Sequence, residues 1–504
     1  MEVKRRDVLG AGLLLGAGYF AAQPAFAQST GASTDASDSS KTSKANNGDS
    51  TESYGAGNTG LGITQALSKH IANLNFEGLP AESSHEAKRA VLDWMGCAIA
   101  GSQHPTPKIL IRSLKEIGSM PTTTVLGHKG LKLSMLDAPL ANGQMGHVLD
   151  FDDTHLGGVI LHTSTATMPA LLAIGEAEKS SGKDIITAIV AAFEAGIRVG
   201  QGMPGHHRGG WHLTGTLGTI AATAASARLR NLNAAQTVNA LGIGCTQAAG
   251  MQQNRGSDCK SLHAGKSAYH GVLASLLAKN GFTSSPEILE GNLGFTKIYS
   301  KTQDLPMITS NFGNPLMING NGYKPYACGV VLHPLIDAAI KASKDSKIAP
   351  EEIESLEIIV HPDVIRITGV DAPGSGLMSK FSANHAAAVS YIDQAGGISQ
   401  FTNEKAQQPK VQALRKLVKV TASSSYRLDQ ASAIVRTKNG KVFEAGIEHA
   451  TGTVANPISD QNLEAKFLGN TVSFMGKEKA NNAIKSIWSL DKMANIQTLI
   501  RLFA

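Results

Sequence analysis

The sequence predicts a mainly α fold, with a large all-helical domain and a smaller α+β domain. Three observations carry this. Aromatic residues are only 5% of 504 positions while glycine alone fills 53, and small side chains in that abundance suit close helix packing. From about 61 to 320, apolar residues recur at three- and four-residue spacing, the helical period. Between about 323 and 450 the pattern changes to short apolar runs bounded by turn residues, the signature of strands.

Taken in order, residues 1–27 are not part of the fold. Lys4-Arg5-Arg6-Asp7 precedes an apolar run over 8–20, and Ala25-Phe26-Ala27 follows. A basic start, a short apolar core and an Ala-x-Ala site make a secretory signal, and the paired arginines point to the twin-arginine route. The run is shorter than the roughly 20 residues a span needs, so cleavage after Ala27 and a periplasmic location are expected, with no stable membrane insertion afterwards. Residues 28–59 are rich in Ser, Thr, Asn, Gly and Asp and read as a disordered linker. Gly55-Ala-Gly57-Asn-Thr-Gly60 spells G-x-G-x-x-G, but no strand precedes it, so it is no nucleotide fingerprint.

Helices are expected over 87–100, 185–199, 216–227 and 234–247. Leu356-Glu-Ile-Ile-Val-His361 reads as a strand stopped by Pro362. The segment 433–445 reads as a hairpin turning at Asn439-Gly440. Helices are interposed at 331–343 and 385–394, and the helical period returns over 463–468 and 480–490.

The formal charge is +6, and +5 once Glu2, Lys4, Arg5, Arg6 and Asp7 are removed with the signal. That is too mild and too evenly spread for a nucleic-acid partner, and it suits a small anionic substrate. Cys97, Cys245, Cys259 and Cys328 form no Cys-x-x-Cys pair. Zinc ribbons and ordinary iron–sulfur spacings are thereby unsupported, and the sequence does not pair the cysteines.

The densest chemistry is Asp150-Phe-Asp-Asp-Thr154-His155, followed by His162. Three carboxylates, a hydroxyl and two imidazoles lie between apolar segments, where ionisable groups are costly unless they pair or do chemistry. A capped helix start with a satisfied core histidine is the alternative reading. Further candidates follow in Gly210-Trp-His212-Leu-Thr-Gly-Thr-Leu-Gly218, Lys260-Ser-Leu-His263, Tyr323-Lys324-Pro-Tyr-Ala-Cys-Gly, Val331-Leu-His333-Pro and Ser379-Lys-Phe-Ser-Ala-Asn-His385.

With Val91-Leu-Asp-Trp-Met-Gly-Cys97 near the start and Asn456-Pro-Ile-Ser-Asp460 near the end, these ordered motifs resemble the MmgE/PrpD family from about Gly60 onward. That family includes 2-methylcitrate dehydratase and cis-aconitate decarboxylase. The resemblance implies a helical domain over 60–322 that is rejoined by 456–504, an α+β domain over 323–455, and a homodimer. It implies a cofactor-independent lyase acting on a citrate-like acid, whether by dehydration, hydration or decarboxylation; epimerisation would use the same groups.

Carried over position by position, the site would comprise Asp150, Thr154, His162, His212, Lys260, Lys324 and His385, with no metal. Asp150 and Thr154, four apart, would share a helix face. Asp150 would orient an imidazole, Thr154 donate to a carboxylate, His162 transfer the proton, and Lys260 and Lys324 anchor carboxylates. The Gly215–Gly218 run after His212 could open a helix whose N-terminus faces an anion. Asp152, Asp153 and His155 would support the site, with His333 a further candidate. Thr163 and Leu213 stand where the family commonly has proline, and His385 where the decarboxylase branch has tyrosine. Two other functions fit the residues: a metal-dependent hydrolase using His155, Asp152, His206, His207 and His212, and a non-catalytic periplasmic carboxylate-binding protein.

Overall fold

A computed structural model describes residues 59–504. The expected signal and, apart from Thr59, the expected linker lie outside the described residues. The fold is mainly α. Its first part runs through α1 (Ile63–Asn73), α2 (Ala81–Ser102), α3 (Pro105–Glu116), α4 (Asp137–His147), α5 (Thr163–Glu178), α6 (Gly182–Gln201), α7 (Leu217–Leu229), α8 (Ala234–Cys245), α9 (Asp258–Lys279) and the short α10 (Phe295–Tyr299) and α11 (Pro306–Thr309). The sequence sets several of these boundaries directly. Ser181 with Asp184, and Asn233 with Gln236, form capping boxes at the starts of α6 and α8.

Leu67, Trp94, Met145, Leu171, Phe193, Leu217 and Val272 meet in one core. The C-terminal helices α18 (Asp460–Met475), α19 (Lys477–Trp488) and α20 (Gln497–Ile500) close on the same core through Leu463, Phe467, Ile487 and Phe503.

Between them lies a second core. It is built from α12 (His333–Ser346), β5 (Ile353–Val360), α13 (Pro362–Ile367), α15 (Ala383–Asp393), α17 (Pro409–Arg415), β6 (Val418–Ala422), β7 (Ala431–Thr437) and β8 (Val442–Ile447), with the short α14 (Gly376–Ser379) and α16 (Asn403–Gln407) in the connections. The sheet order is β6-β5-β7-β8. β5 and β6 are parallel, as a crossover through helices requires. β7 and β8 form the hairpin, with Gly440 at positive φ in its turn. The strand ending at Val360 before Pro362 and the helices over 383–393 and 333–346 match the sequence expectations within a few residues.

Four short strands fall inside the stretch read as helical. β1 (Thr123–Thr124) pairs with β2 (Lys132–Leu133), and β3 (Thr154–His155) pairs antiparallel with β4 (Asn321–Gly322). The second pair corrects one expectation: Asp150 and Thr154 do not share a helix face. α4 ends at His147, Asp150 is left-handed at φ 51°, and Thr154 is already in β3. A left-handed aspartate is strained by about 1–2 kcal/mol. Its neighbours Leu149 and Phe151 are both buried in the second core, worth about 1.5–3 kcal/mol each, so packing outweighs the strain.

Close helix approach fixes what faces Asp150. α4 and α9 cross at Gly143 and Gly265. A Cβ on Gly265 would lie 2.0 Å from the Leu140 carbonyl oxygen, and one on Gly143 would lie 2.5 Å from Gly265 Cα. Both would meet backbone, which cannot rotate aside. Gly265→Ala is therefore expected to push α9 off α4, lower stability by at least about 2 kcal/mol and reduce activity, because Lys260 rides on α9. Denaturant unfolding checks this; unchanged stability would mean the crossing relaxes freely.

Candidate active site

Three elements converge on Asp150. The β3–β4 register sets Thr154 opposite Gly322, which brings Lys324, two residues on, back beside the 150 segment. α9 presents Lys260 near its N-terminus. The Asp150 carboxylate accepts from Lys260 Nζ at 2.7 Å on one oxygen and from Lys324 Nζ at 2.5 Å on the other. Lys324 Nζ also reaches the Asp150 carbonyl at 3.1 Å. All three side chains are buried. Burial alone would raise the Asp150 carboxyl, but Lys260 and then Lys324 hold it well below the usual carboxylate range. Burial lowers the Lys260 ammonium despite Asp150, whereas Asp150 raises Lys324 against burial.

Beside this trio runs a chain of imidazoles. Lys260 Nζ donates to His147 Nε2 at 3.2 Å, so His147 carries its proton on Nδ1 and donates it to Asp152 at 2.9 Å. His162 Nδ1 lies 3.1 Å from the Asp153 carbonyl and 3.0 Å from Thr154 Oγ1. That carbonyl can only accept, so the proton sits on Nδ1 and the basic atom is Nε2. His212 Nδ1 meets His263 Nδ1 at 2.8 Å. The rings of His147 and His162 are 4.7 Å apart, and those of His147 and His212 5.7 Å. Burial, followed by the nearby lysines, pushes His162 and His212 well below their ordinary value, so both are neutral near pH 7. Asp150, His162, His212, Lys260 and Arg255 line one cavity of about 60 Å³.

Six sequence candidates are thus brought together: Asp150, Thr154, His162, His212, Lys260 and Lys324. The orienting role expected of Asp150 falls instead to Asp152, which binds His147 and lies 3.6 Å from His162. Asp153 is buried and accepts from Ser164 and Asn321 at 2.6 and 2.7 Å. Burial and then Asp93 push its carboxyl well up, which disfavours its charged form, and its partners make its role structural. His155 is held between the Val159 and Met317 carbonyls.

His385 stands apart. Its Nε2 binds the Gln400 carbonyl at 2.9 Å and its ring packs on Phe401. His333 is buried at the start of α12, pushed down to about 3 first by burial and then by Lys324. All four cysteines are free, with only Cys259 exposed.

Sequence reasoning missed His147 and Lys380. His147 ends the motif Asn142-Gly-Gln-Met-Gly-His147, whose two glycines mark the close crossings of α4. Lys380 lies within a segment singled out for His385. Its buried ammonium donates to the carbonyls of Leu149 at 2.7 Å and Ala327 at 2.6 Å, and among the described residues no carboxylate forms an ion pair with it. It joins His147, Asp150, Lys260 and Ser257 around a water-sized hollow.

The histidine set considered for a hydrolase is dispersed. His206 binds the Tyr299 carbonyl and Thr216, and His155 is held by carbonyls. A different set, His147, Asp152 and His162, brings one ligand atom each within 4.8 Å of one another. Lys260, on His147 Nε2, and Lys324 place two ammonium groups beside the set, and their charge opposes a cation there.

Burial drops the Lys380 ammonium from its ordinary 10.5 to about 8. Between those values the unfolded chain holds a proton the folded chain lacks, so this lysine makes stability rise with pH across that window. Wild type should therefore gain about 3 kcal/mol relative to Lys380→Met between pH 8 and pH 10.5, read from denaturant unfolding of both at each pH. A pH-independent difference would mean that Lys380 is not held against its charge.

The comparisons agree with this architecture. The chain matches the MmgE/PrpD N-terminal domain over residues 65–308 and the MmgE/PrpD C-terminal domain over residues 326–492. It is 26% identical to a cis-aconitate decarboxylase of Aspergillus terreus, over 88% of this chain and 96% of that protein. It is 26% identical to the Mus musculus cis-aconitate decarboxylase over 87% and 93%, and 25% identical to that of Homo sapiens over 87% and 94%. Two domain matches covering most of its length show that the chain belongs to the MmgE/PrpD family.

Proposed function

We propose that this protein is a cofactor-independent lyase acting on a citrate-like di- or tricarboxylic acid. One observation carries the reading. Lys260, Lys324 and Lys380 gather around Asp150, Asp152 pairs with His147 beside them, and Arg255 stands at the cavity wall. With the imidazoles neutral, buried positive charge exceeds negative, and a carboxylate-bearing substrate supplies the difference. Relatives named cis-aconitate decarboxylase support the same substrate class.

In this reading the lysines bind carboxylates. His162 Nε2 takes the proton from the carbon next to a carboxylate, its Nδ1–H held by the Asp153 carbonyl. Thr154 and Lys324 donate to the enolate-like charge that develops. In a dehydration the proton taken by His162 is balanced by one that the His212–His263 pair delivers to the leaving hydroxyl; in a decarboxylation His162 takes no proton, the departing carboxylate leaves its electron pair on carbon, and the same pair delivers a proton there. The active site lies between the helical domain, 60–322 with 456–504, and the α+β domain, 323–455. The protein acts as a homodimer and is exported through the twin-arginine route; N-terminal sequencing of periplasmic material beginning at Gln28 would support export, and intact Met1 would oppose it.

A metal-dependent reading rests on His147, Asp152 and His162. Turnover of a panel of citrate-type acids, followed by alkene absorbance and carbon dioxide release, separates the two. Activity is expected to survive strong chelation, and His162→Ala to lower kcat on the order of 10²–10⁴-fold while remaining folded. Loss of turnover on chelation, restored by one metal, would favour the metal reading.

A further inference from the structure

A second, larger cavity of about 320 Å³ adjoins the acid–base cluster. Thr154 and Lys324 from the site, with His333, form its polar inner end. Ile160, Val330 and Val331 line both cavities, so one wall runs continuously from the cluster outward. Beyond them the lining is Leu156, Pro334, Leu428, Ala450 and Val454, and it is mainly apolar. The charged groups at its rim satisfy one another. Arg427 donates to Glu448 at 2.8 Å, and His449 meets Asp429 at 2.7 Å. The rim therefore presents no unpaired charge for an anionic end of a ligand.

A small tricarboxylate has no surface to set against such a wall. Its carboxylates belong with the lysines, and the cavity would remain wetted apolar surface. We propose that the substrate is a citrate-like acid bearing an apolar arm longer than a methyl group, with the carboxylate head on Lys260 and Lys324 and the arm in this cavity. The inference rests on the lyase reading above and extends it to the substrate's substituent. Burial of each added methylene then contributes to transition-state binding, at about four-fold in kcat/KM per carbon until the arm reaches Leu428.

The test uses the full-length mature enzyme and a series of 2-substituted citrates carrying hydrogen, methyl, propyl and hexyl. Turnover and calorimetric binding are measured for each, in wild type, Leu428→Trp and Leu428→Ala. Leu428 is half-buried at the cavity wall and does not line the smaller cavity that holds Asp150, His162, His212 and Lys260, and thermal unfolding verifies that each variant folds. kcat/KM is expected to rise from hydrogen to propyl in wild type. Leu428→Trp is expected to remove that gain while sparing the unsubstituted acid, and Leu428→Ala to extend it toward hexyl.

Turnover of the unsubstituted acid with no gain, or a loss, on lengthening the arm would overturn this inference and leave the lyase reading standing. Equal slowing of every acid by Leu428→Trp would make the cavity a passage and also overturn it. Neither turnover nor binding of any acid would remove both.

Discussion

Asp150 places one negative charge between two buried ammonium groups, and the geometry of the site follows from that demand. Removing either lysine's partner would leave a buried charge uncompensated, a loss of several kcal/mol. The three side chains come from the end of α4, the start of α9 and the residues after β4, which are distant in sequence. The pairing therefore ties both cores to one point. The left-handed backbone at Asp150, the two-residue β3–β4 pair and the glycine crossing of α4 on α9 serve to bring these groups within hydrogen-bonding distance.

The same arithmetic explains what the site favours. Three lysines against two ionised carboxylates leave an excess of positive charge, and the neighbouring histidines meet it by staying neutral. A neutral imidazole with one nitrogen fixed by a carbonyl offers its other nitrogen as a base. Lys380 donates to the carbonyls of Leu149 and Ala327 and lies over the Phe401 ring. It is poised for either alkaline deprotonation or an incoming anion, and the latter restores charge balance without loss of its proton.

Much of this was legible in the sequence, for physical reasons. The 3.6 period placed α6, α7 and α8 within a few residues and the C-terminal end of α2, whose start lies six residues earlier than expected, and Asn439-Gly440 marked the β7–β8 hairpin because that turn requires positive φ. Six of the seven site candidates converge because each was a polar residue in an apolar setting. His385 was such a residue too, yet its Nε2 is held by the Gln400 carbonyl away from the site; sequence cannot distinguish a histidine held by Gln400 from one facing a cavity. The roles of Asp150 and Asp152 were exchanged because spacing of four suggests a helix, while Leu149 and Phe151, both buried, force an extended reversal. His147 and Lys380 were passed over since each lies in a helix-end segment whose neighbours drew attention elsewhere.

The most direct measurement is the response of Asp150→Asn to a non-reacting tricarboxylate. The side chain keeps its shape and loses its charge, so Lys260 and Lys324 should repel each other unscreened and the unfolding midpoint should fall. Saturating tricarballylate should then raise the midpoint of Asp150→Asn more than that of wild type, because it replaces the missing negative charge. A variant as stable as wild type, and no more responsive to the anion, would contradict the claim that this carboxylate organises the site.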